Sequence, residues 1–380
     1  MTSISIIGAG PAGLMAAQKL GERGFAVTIY DHKPSPARKF LMAGRGGLNI
    51  THSEPFEKFI LNYTEASEFL RPALENFTPD NLRDWCLELG EETFIGTSGR
   101  IFPKSFKASP LLRAWILKLQ NIGVKFQYNF EWAGQDLESD ITILALGGAS
   151  WPRLGSDGEW TKILEKQNIR INPFRPANCG FHCKWSDVFK TKFAGHPLKP
   201  LILKHHGQSI QGEIIITERG VEGGGIYALS KNLRNAIDKD GTTILTLDLK
   251  PNISSAQLEK ILNTPRGRDS FSNYMRKVLG LSPVAIGLLQ EDREITKFSR
   301  ADLTKRIKSV PLTLNSVADI ARAISSSGGI SLNEIDTNFM LKKIPNTYVI
   351  GEMLDWEAPT GGYLLQATLS MAVWVGQKIK

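Results

Sequence analysis

Gly8-Ala9-Gly10-Pro11-Ala12-Gly13, followed by Asp31 at the end of an apolar run, is a set of residues able to seat two phosphates and a ribose. In such a spacing the first glycine permits a tight turn. The second lets backbone approach a pyrophosphate, and the third lets a helix lie close to a strand. The acid is placed to accept hydrogen bonds from ribose hydroxyls. Three elements must position these groups. Ile4, Ile6 and Ile7 read as a strand ending at Gly8, and Leu14, Ala17 and Leu20 as a helical apolar stripe ending near Gly24. "FAVTIYD" reads as a second strand closed by Asp31. Free N–H groups at the helix start, with the positive end of the helix dipole behind them, suit an anion. Strand, helix, strand and acid fall in the order a dinucleotide site requires, so the glycines are more than a chance spacing.

Two distant segments bear on which dinucleotide is bound. "SDITILALGGASWPRLG" (139–155) is a strand stopping at Gly147-Gly148. "NTYVIGEMLDWEAPTGGYLLQATLSMAVWVGQKIK" (346–380) is another, stopping at Gly351-Glu352, with Gly361-Gly362 opening a last helix of about eighteen residues. This layout resembles the flavoproteins with two dinucleotide-binding domains. That resemblance implies FAD, with the Gly-acid pair at the ribityl chain and the last helix pointing its N-terminus at the flavin pyrimidine. The stretch "ARKFLMAGRGGLNIT" then runs beside the cofactor. Arg38, Lys39 and Arg45 would offset pyrophosphate charge, and Gly44, Gly46 and Gly47 would allow close approach to the flavin.

Five segments taken together resemble one family. "ARKFLMAGRGGLNITH", residues 99–126, 143–160 and 328–341, and "GEMLDWEAPTGGYLLQA" match, in order, the BaiN/YhiN-type flavoproteins across nearly the whole chain. The match carries Arg38, Lys39, Gly44, Gly47, Asn49 and Thr51 from the first signature. From the last it carries Gly351, Glu352, Leu354, Asp355, Gly361, Gly362, Tyr363 and Gln366. Arg45 stands where a glycine is usual, Leu48 replaces a cysteine and Leu364 an asparagine, which points to a distinct subfamily with its own substrate choice. The resemblance implies an α/β fold, a Rossmann-like FAD-binding domain (1–185 and 328–380) with an inserted domain of β-barrel-like strands plus helices (186–327).

The same resemblance implies an oxidoreductase. The leading expectation is a reductase passing hydride from flavin N5 to a conjugated double bond, with NAD(P)H docking transiently. Gly223-Gly224-Gly225, the only other notable glycine cluster, lacks the setting of a second nucleotide site. Alternatives are an oxygen-using oxidase of small amines, a uridine-to-dihydrouridine reductase acting on RNA, and a protein that uses FAD only as a structural ligand. His52 is a candidate for proton transfer, since a neutral imidazole can move a proton near neutral pH. Tyr363 is a candidate donor to substrate, and Arg45, Arg100 and Lys104 are candidate receptors for a substrate anion. Trp151 and Trp356 are candidate pocket walls.

Composition sets the outer bounds. A chain of 380 residues with 42% apolar and 22% charged residues is ordinary globular material of about two domains. Cys86, Cys179 and Cys183 make no disulfide framework, and Cys179-x-x-x-Cys183 around His182 has poor spacing for a metal, so none is expected. No apolar run approaches a membrane span and no leader is evident, which reads as cytoplasmic. The net charge is +8, and residues 151–206 hold ten Lys and Arg against four Asp and Glu. That basic segment is either a solvated face or an attractor of RNA or an anionic substrate.

Overall fold

The computed structural model describes residues 2–380, without the side chain of Arg45. Two compact units divide the chain, one of Met1–Pro176 with Ile320–Lys380 and one of Ala177–Asp319.

The first unit is built on a five-stranded parallel sheet. The strands are β1 (Ser3–Ile7), β2 (Ala26–Asp31), β6 (Lys125–Tyr128), β7 (Ile141–Leu144) and β17 (Thr347–Val349), in the order β17-β7-β1-β2-β6. The run "SISII" is buried from Ile4 to Ile7, Ser5 included, as befits the middle strand of a parallel sheet covered on both faces. Ile7 pairs with Tyr30 on one side and Leu144 on the other, so three strand ends meet at the Gly8 turn. Helix α1 (Pro11–Glu22) starts with proline in its first turn, where the missing N–H costs nothing. Leu14, Ala17 and Leu20 are fully buried. The final helix, Tyr363–Lys378, crosses α1 so closely that a Cβ on Gly376 would lie 2.7 Å from Lys19 Cβ. Arg23 donates to the carbonyls of Gly376 and Ile379, satisfying groups that a helix end leaves open.

Helix α2 (Arg38–Ala43) follows β2. A small antiparallel sheet, order β3-β5-β4, joins β3 (Thr51–His52), β4 (Thr93–Ile95) and β5 (Arg100–Pro103). A two-stranded pair unites β8 (Ile171–Ala177) and β16 (Ser325–Ile330).

The second unit carries a seven-stranded sheet with the helix Gly224–Asp240 packed on its strands. Its long central hairpin pairs β10 (Pro197–His205) with β11 (Gln208–Thr217). The unit begins and ends earlier than the expected 186–327. Strand pairing explains the difference: Phe181–His182 hydrogen-bonds into the seven-stranded sheet, while Ser325–Ile330 pairs with β8. Gly225 fits against Leu203 and the Glu213 carbonyl, so that glycine serves close packing. Among the described residues no helix is long and apolar enough to cross a membrane.

Candidate functional site

A cleft of about 910 Å³ runs through the first unit, at the upper end of the size usual for ligand sites. At one end stand Asp31 and Trp132; the Gly8 turn and the start of α1 follow, and the walls include Gly147, Glu352 and Gly361-Gly362. The strand ends of β1, β7 and β17 converge here because parallel pairing puts their carboxyl ends on one side of the sheet.

Asp31 organises the phosphate turn from below. One carboxylate oxygen accepts the Ala9 N–H at 2.7 Å and the other the Lys33 N–H at 2.7 Å. Gly8 has φ +109°, and a Cβ there would lie 2.3 Å from the Ala145 carbonyl oxygen. Gly13 is equally constrained, since its Cβ would meet the Gly8 carbonyl oxygen at 2.0 Å. A Cβ on Gly10 meets nothing within 4 Å. The start of α1 carries no side-chain cap and no acid in its first turn, so its positive end faces the cleft unneutralised.

Farther along, Lys39 donates to Ser150 Oγ and to Glu352 Oε2, each at 2.7 Å, and Glu352 Oε1 accepts the Ser326 N–H. Asn49 donates to the carbonyls of Thr51 and Ile101, fixing the loop that presents Gly47 and Leu48. Trp356 donates to the Gly351 carbonyl, and Trp151 holds a left-handed backbone at φ 63°. Both rings line the cleft.

Of the residues expected at a cofactor, the cleft brings together Gly8, Gly10, Pro11, Ala12, Asp31, Arg38, Lys39, Gly47, Asn49, Gly147, Glu352, Gly361 and Gly362. Others lie behind the wall. Gly13 and Gly351 pack on β1 and on Ala12, and Gly44 abuts Ala108. A Cβ on Gly148 would collide with Ser326 Oγ, and Gly46 opens to space outside the lining. Asp355 clamps a loop, accepting from Asn172 Nδ2 and the Gly328 N–H.

The catalytic candidates fare differently. Tyr363 donates to Glu54 Oε1, and its ring is stacked 5.6 Å from His52. Burial, then the Glu54 carboxylate, holds its phenol far above the ordinary range, so it is a neutral buttress outside the lining. His52 accepts the Glu54 N–H at Nδ1 and approaches the Ser98 carbonyl with Nε2, so both ring nitrogens are engaged away from the cleft. Lys104 pairs with Glu92 at the surface, whereas Arg100 reaches the cleft wall. The Arg45 side chain lies outside the described residues.

The structure also adds residues that were not among the site candidates. Phe130 and Trp132 line the Asp31 end, and Trp160 donates to the Gly147 carbonyl. Ser156 is 5% exposed, and its hydroxyl beside Gly147 has no protein partner. An open position at Gly10, an uncapped helix start and an orphaned hydroxyl make a donor-rich cradle in a long cleft. These features fit FAD, which would be held by Gly10 and Ala12 at the pyrophosphate, Asp31 at the ribose and the final helix at the ring. No group of three metal-ligating side chains occurs among the described residues.

A family model described as the HI0933-like protein Rossmann domain matches residues 2–378. A ribosomal RNA dihydrouridine synthase of Haemophilus influenzae is 25% identical over 391 residues, covering 97% of this chain and 96% of that one. A 3-dehydro-bile acid delta(4,6)-reductase of Clostridium scindens is 24% identical over 397 residues, covering 96% of each. Among solved structures, a flavocytochrome c3 fumarate reductase in its open conformation matches 99% of this chain and 77% of its own, at TM-score 0.49 and 14% identity.

Proposed function

The chain belongs to the HI0933-like family of FAD-dependent oxidoreductases, and from that premise we propose that it is a reductase acting on a conjugated double bond, with NAD(P)H as donor. The observation that carries the reading is the character of the cleft where the final helix begins. Met42, Leu48, Trp356, Pro359, Leu364 and Leu365 give an apolar wall beside Gly361-Gly362. An unsaturated carbon skeleton suits such a wall. Two relatives carry names that describe a dihydro product and a Δ4,6 reduction, which supports the same reaction class here.

When bound, FAD supplies a ring that takes hydride from a nicotinamide and gives it to carbon. The protein's part is binding, orientation and field. The final helix has sixteen residues and no acid in its first turn, so its N-terminus presents an uncancelled positive pole to negative charge on a ring. Lys39, already matched by Glu352, holds the Gly351 tip against α2. Trp151, Trp356 and the leucines exclude water from the reacting carbon.

Anaerobic stopped-flow tests the reading. NADH or NADPH is expected to bleach the bound flavin, and a conjugated enone or enoate to restore its colour. Absence of bleaching with both nucleotides contradicts it; bleaching by small amines, with peroxide released in air, replaces it with an amine oxidase.

A second reading places the reduction on uridine in RNA. It draws on the name of the Haemophilus relative and on the basic segment 151–206. Those ten cations are divided between the two units, from Arg153 to Arg175 in one and from Lys184 to Lys204 in the other. RNA binding that weakens steeply with salt is what this reading requires.

A further inference from the structure

Among the described residues five cations line the cleft: Lys33, Arg38, Lys39, Arg100 and Lys166. Lys39 is committed to Glu352, Lys33 sits two residues after Asp31 with its N–H on that carboxylate, and Arg38 opens α2. Arg100 comes from a different element. It stands opposite His52 in the β3–β5 ladder, next to Ile101, whose carbonyl anchors Asn49. Its guanidinium therefore belongs to the wall formed by the 47–49 loop and the start of the final helix.

No carboxylate among the described residues pairs with it. Glu54, the acid of that neighbourhood, instead takes the Tyr363 hydroxyl at 2.5 Å and the Asn62 amide at 3.0 Å. Arg100 is close enough to Tyr363 for its charge to oppose the rise of that phenol. A half-buried guanidinium without an anion has lost hydration and gained no partner, and its planar fork matches a carboxylate or a phosphate.

The same sheet face carries an aromatic group. Phe102, two residues along β5, projects to Arg100's side, and Phe94 stands opposite it. Ring centroids lie 5.8 Å apart for Phe94–Phe102 and 5.6 Å for Phe102–Phe106. The Phe106 ring would sit 3.3 Å from a Cβ on Gly47, so the cluster backs the cleft at that glycine. Phe106 is nonetheless 49% exposed and holds φ 58°, a costly conformation for a phenylalanine.

We propose that Arg100 is the substrate-recognition residue of the cleft, receiving an oxyanion group on the molecule to be reduced, while the Phe94–Phe102–Phe106 cluster supports from behind the Gly47 wall against which its flat unsaturated body lies. This deepens the reductase reading and rests on it. The substrate class is a planar, conjugated molecule bearing a carboxylate or a phosphate, and a neutral hydrocarbon enone is disfavoured.

The test is equilibrium titration of the FAD-loaded full chain, read by perturbation of the flavin absorbance, with cinnamate, phenyl phosphate and neutral cinnamamide. At least one of the two anions is expected to bind more tightly than the amide. Arg100→Met is expected to weaken that anion by about tenfold or more, the scale of a lost charge-assisted pair, with cinnamamide unaffected and Arg100→Lys intermediate. Phe106→Ala is expected to weaken anion and amide alike. Cinnamate against phenyl phosphate distinguishes the two anion sources. FAD affinity and the affinity of the flavin for sulfite are expected to stay at wild-type values in Arg100→Met. The proposal is overturned if neither anion binds, if Arg100→Met binds them as the wild type does, or if its sulfite affinity shifts, since the guanidinium then serves the flavin. Binding needs no turnover, so failure here is separate from failure of NAD(P)H to bleach the flavin.

Discussion

The Lys39 ammonium lies 2.7 Å from Glu352 Oε2, bringing α2 and the turn after β17 together across 313 positions of sequence. Their side chains are 26% and 16% exposed, so this is a partly desolvated pair with a hydroxyl and a backbone N–H completing it. Removing one partner leaves the other charge unmatched. Lys39→Met is expected to destabilise the FAD-free protein by about 1–3 kcal/mol in urea unfolding. Adding Glu352→Gln to that variant is expected to return part of the loss, which a double-mutant cycle measures. Strict additivity of the two single changes contradicts a direct coupling.

Asp355 gives the opposite case of a motif residue with a structural post. Asp355→Ala strands the Asn172 amide and the Gly328 N–H. A thermal midpoint lowered by several degrees is expected, with FAD affinity close to wild type when compared under conditions where both are folded. A selective loss of FAD affinity at unchanged midpoint argues that the carboxylate serves the cofactor.

Much of the site was legible in sequence because the Rossmann requirement is local. Strand, glycine turn, helix and acid occupy one short run, and their geometry follows from backbone rules that leave few alternatives. The convergence of Gly147 and Glu352 on that turn followed from recognising two further strand ends. What stayed hidden was side-chain direction. Asp355 and Tyr363 sit within three to eleven residues of Glu352, yet each turns to a partner brought in by tertiary packing: Asn172 for one, Glu54 for the other. The limits of the second unit were equally non-local, since they depend on which sheet accepts Phe181–His182. Arg100 and Lys104 looked alike in "GRIFPKS"; only the neighbouring Glu92 separates them.

The cysteines offer a test of burial. Cys86 and Cys183 are pushed up to about 12, in both cases by desolvation first and a nearby glutamate second. Native protein at pH 8 is expected to resist Ellman's reagent, with three thiols appearing on unfolding. The folded values exceed the unfolded value of about 8.5, so the unfolded chain loses these protons first as pH rises. Stability from these groups is therefore full below about pH 8.5 and declines from there toward pH 12. Rapid labelling of the native protein, or stability rising through that window, contradicts the assignment.

Gly10 and Gly13 together test the cleft most directly, because one faces open space and the other a carbonyl oxygen at 2.0 Å from its would-be Cβ. The measurement is FAD binding by the refolded, flavin-free chain, for wild type, Gly10→Val and Gly13→Ala, alongside their thermal midpoints. The account predicts one FAD per wild-type chain, an intact midpoint with FAD affinity reduced by at least about tenfold for Gly10→Val, and a lowered midpoint for Gly13→Ala. A wild-type chain that takes up no FAD, or a Gly10→Val chain that binds it as tightly as wild type, would contradict a cofactor seated on the α1 turn.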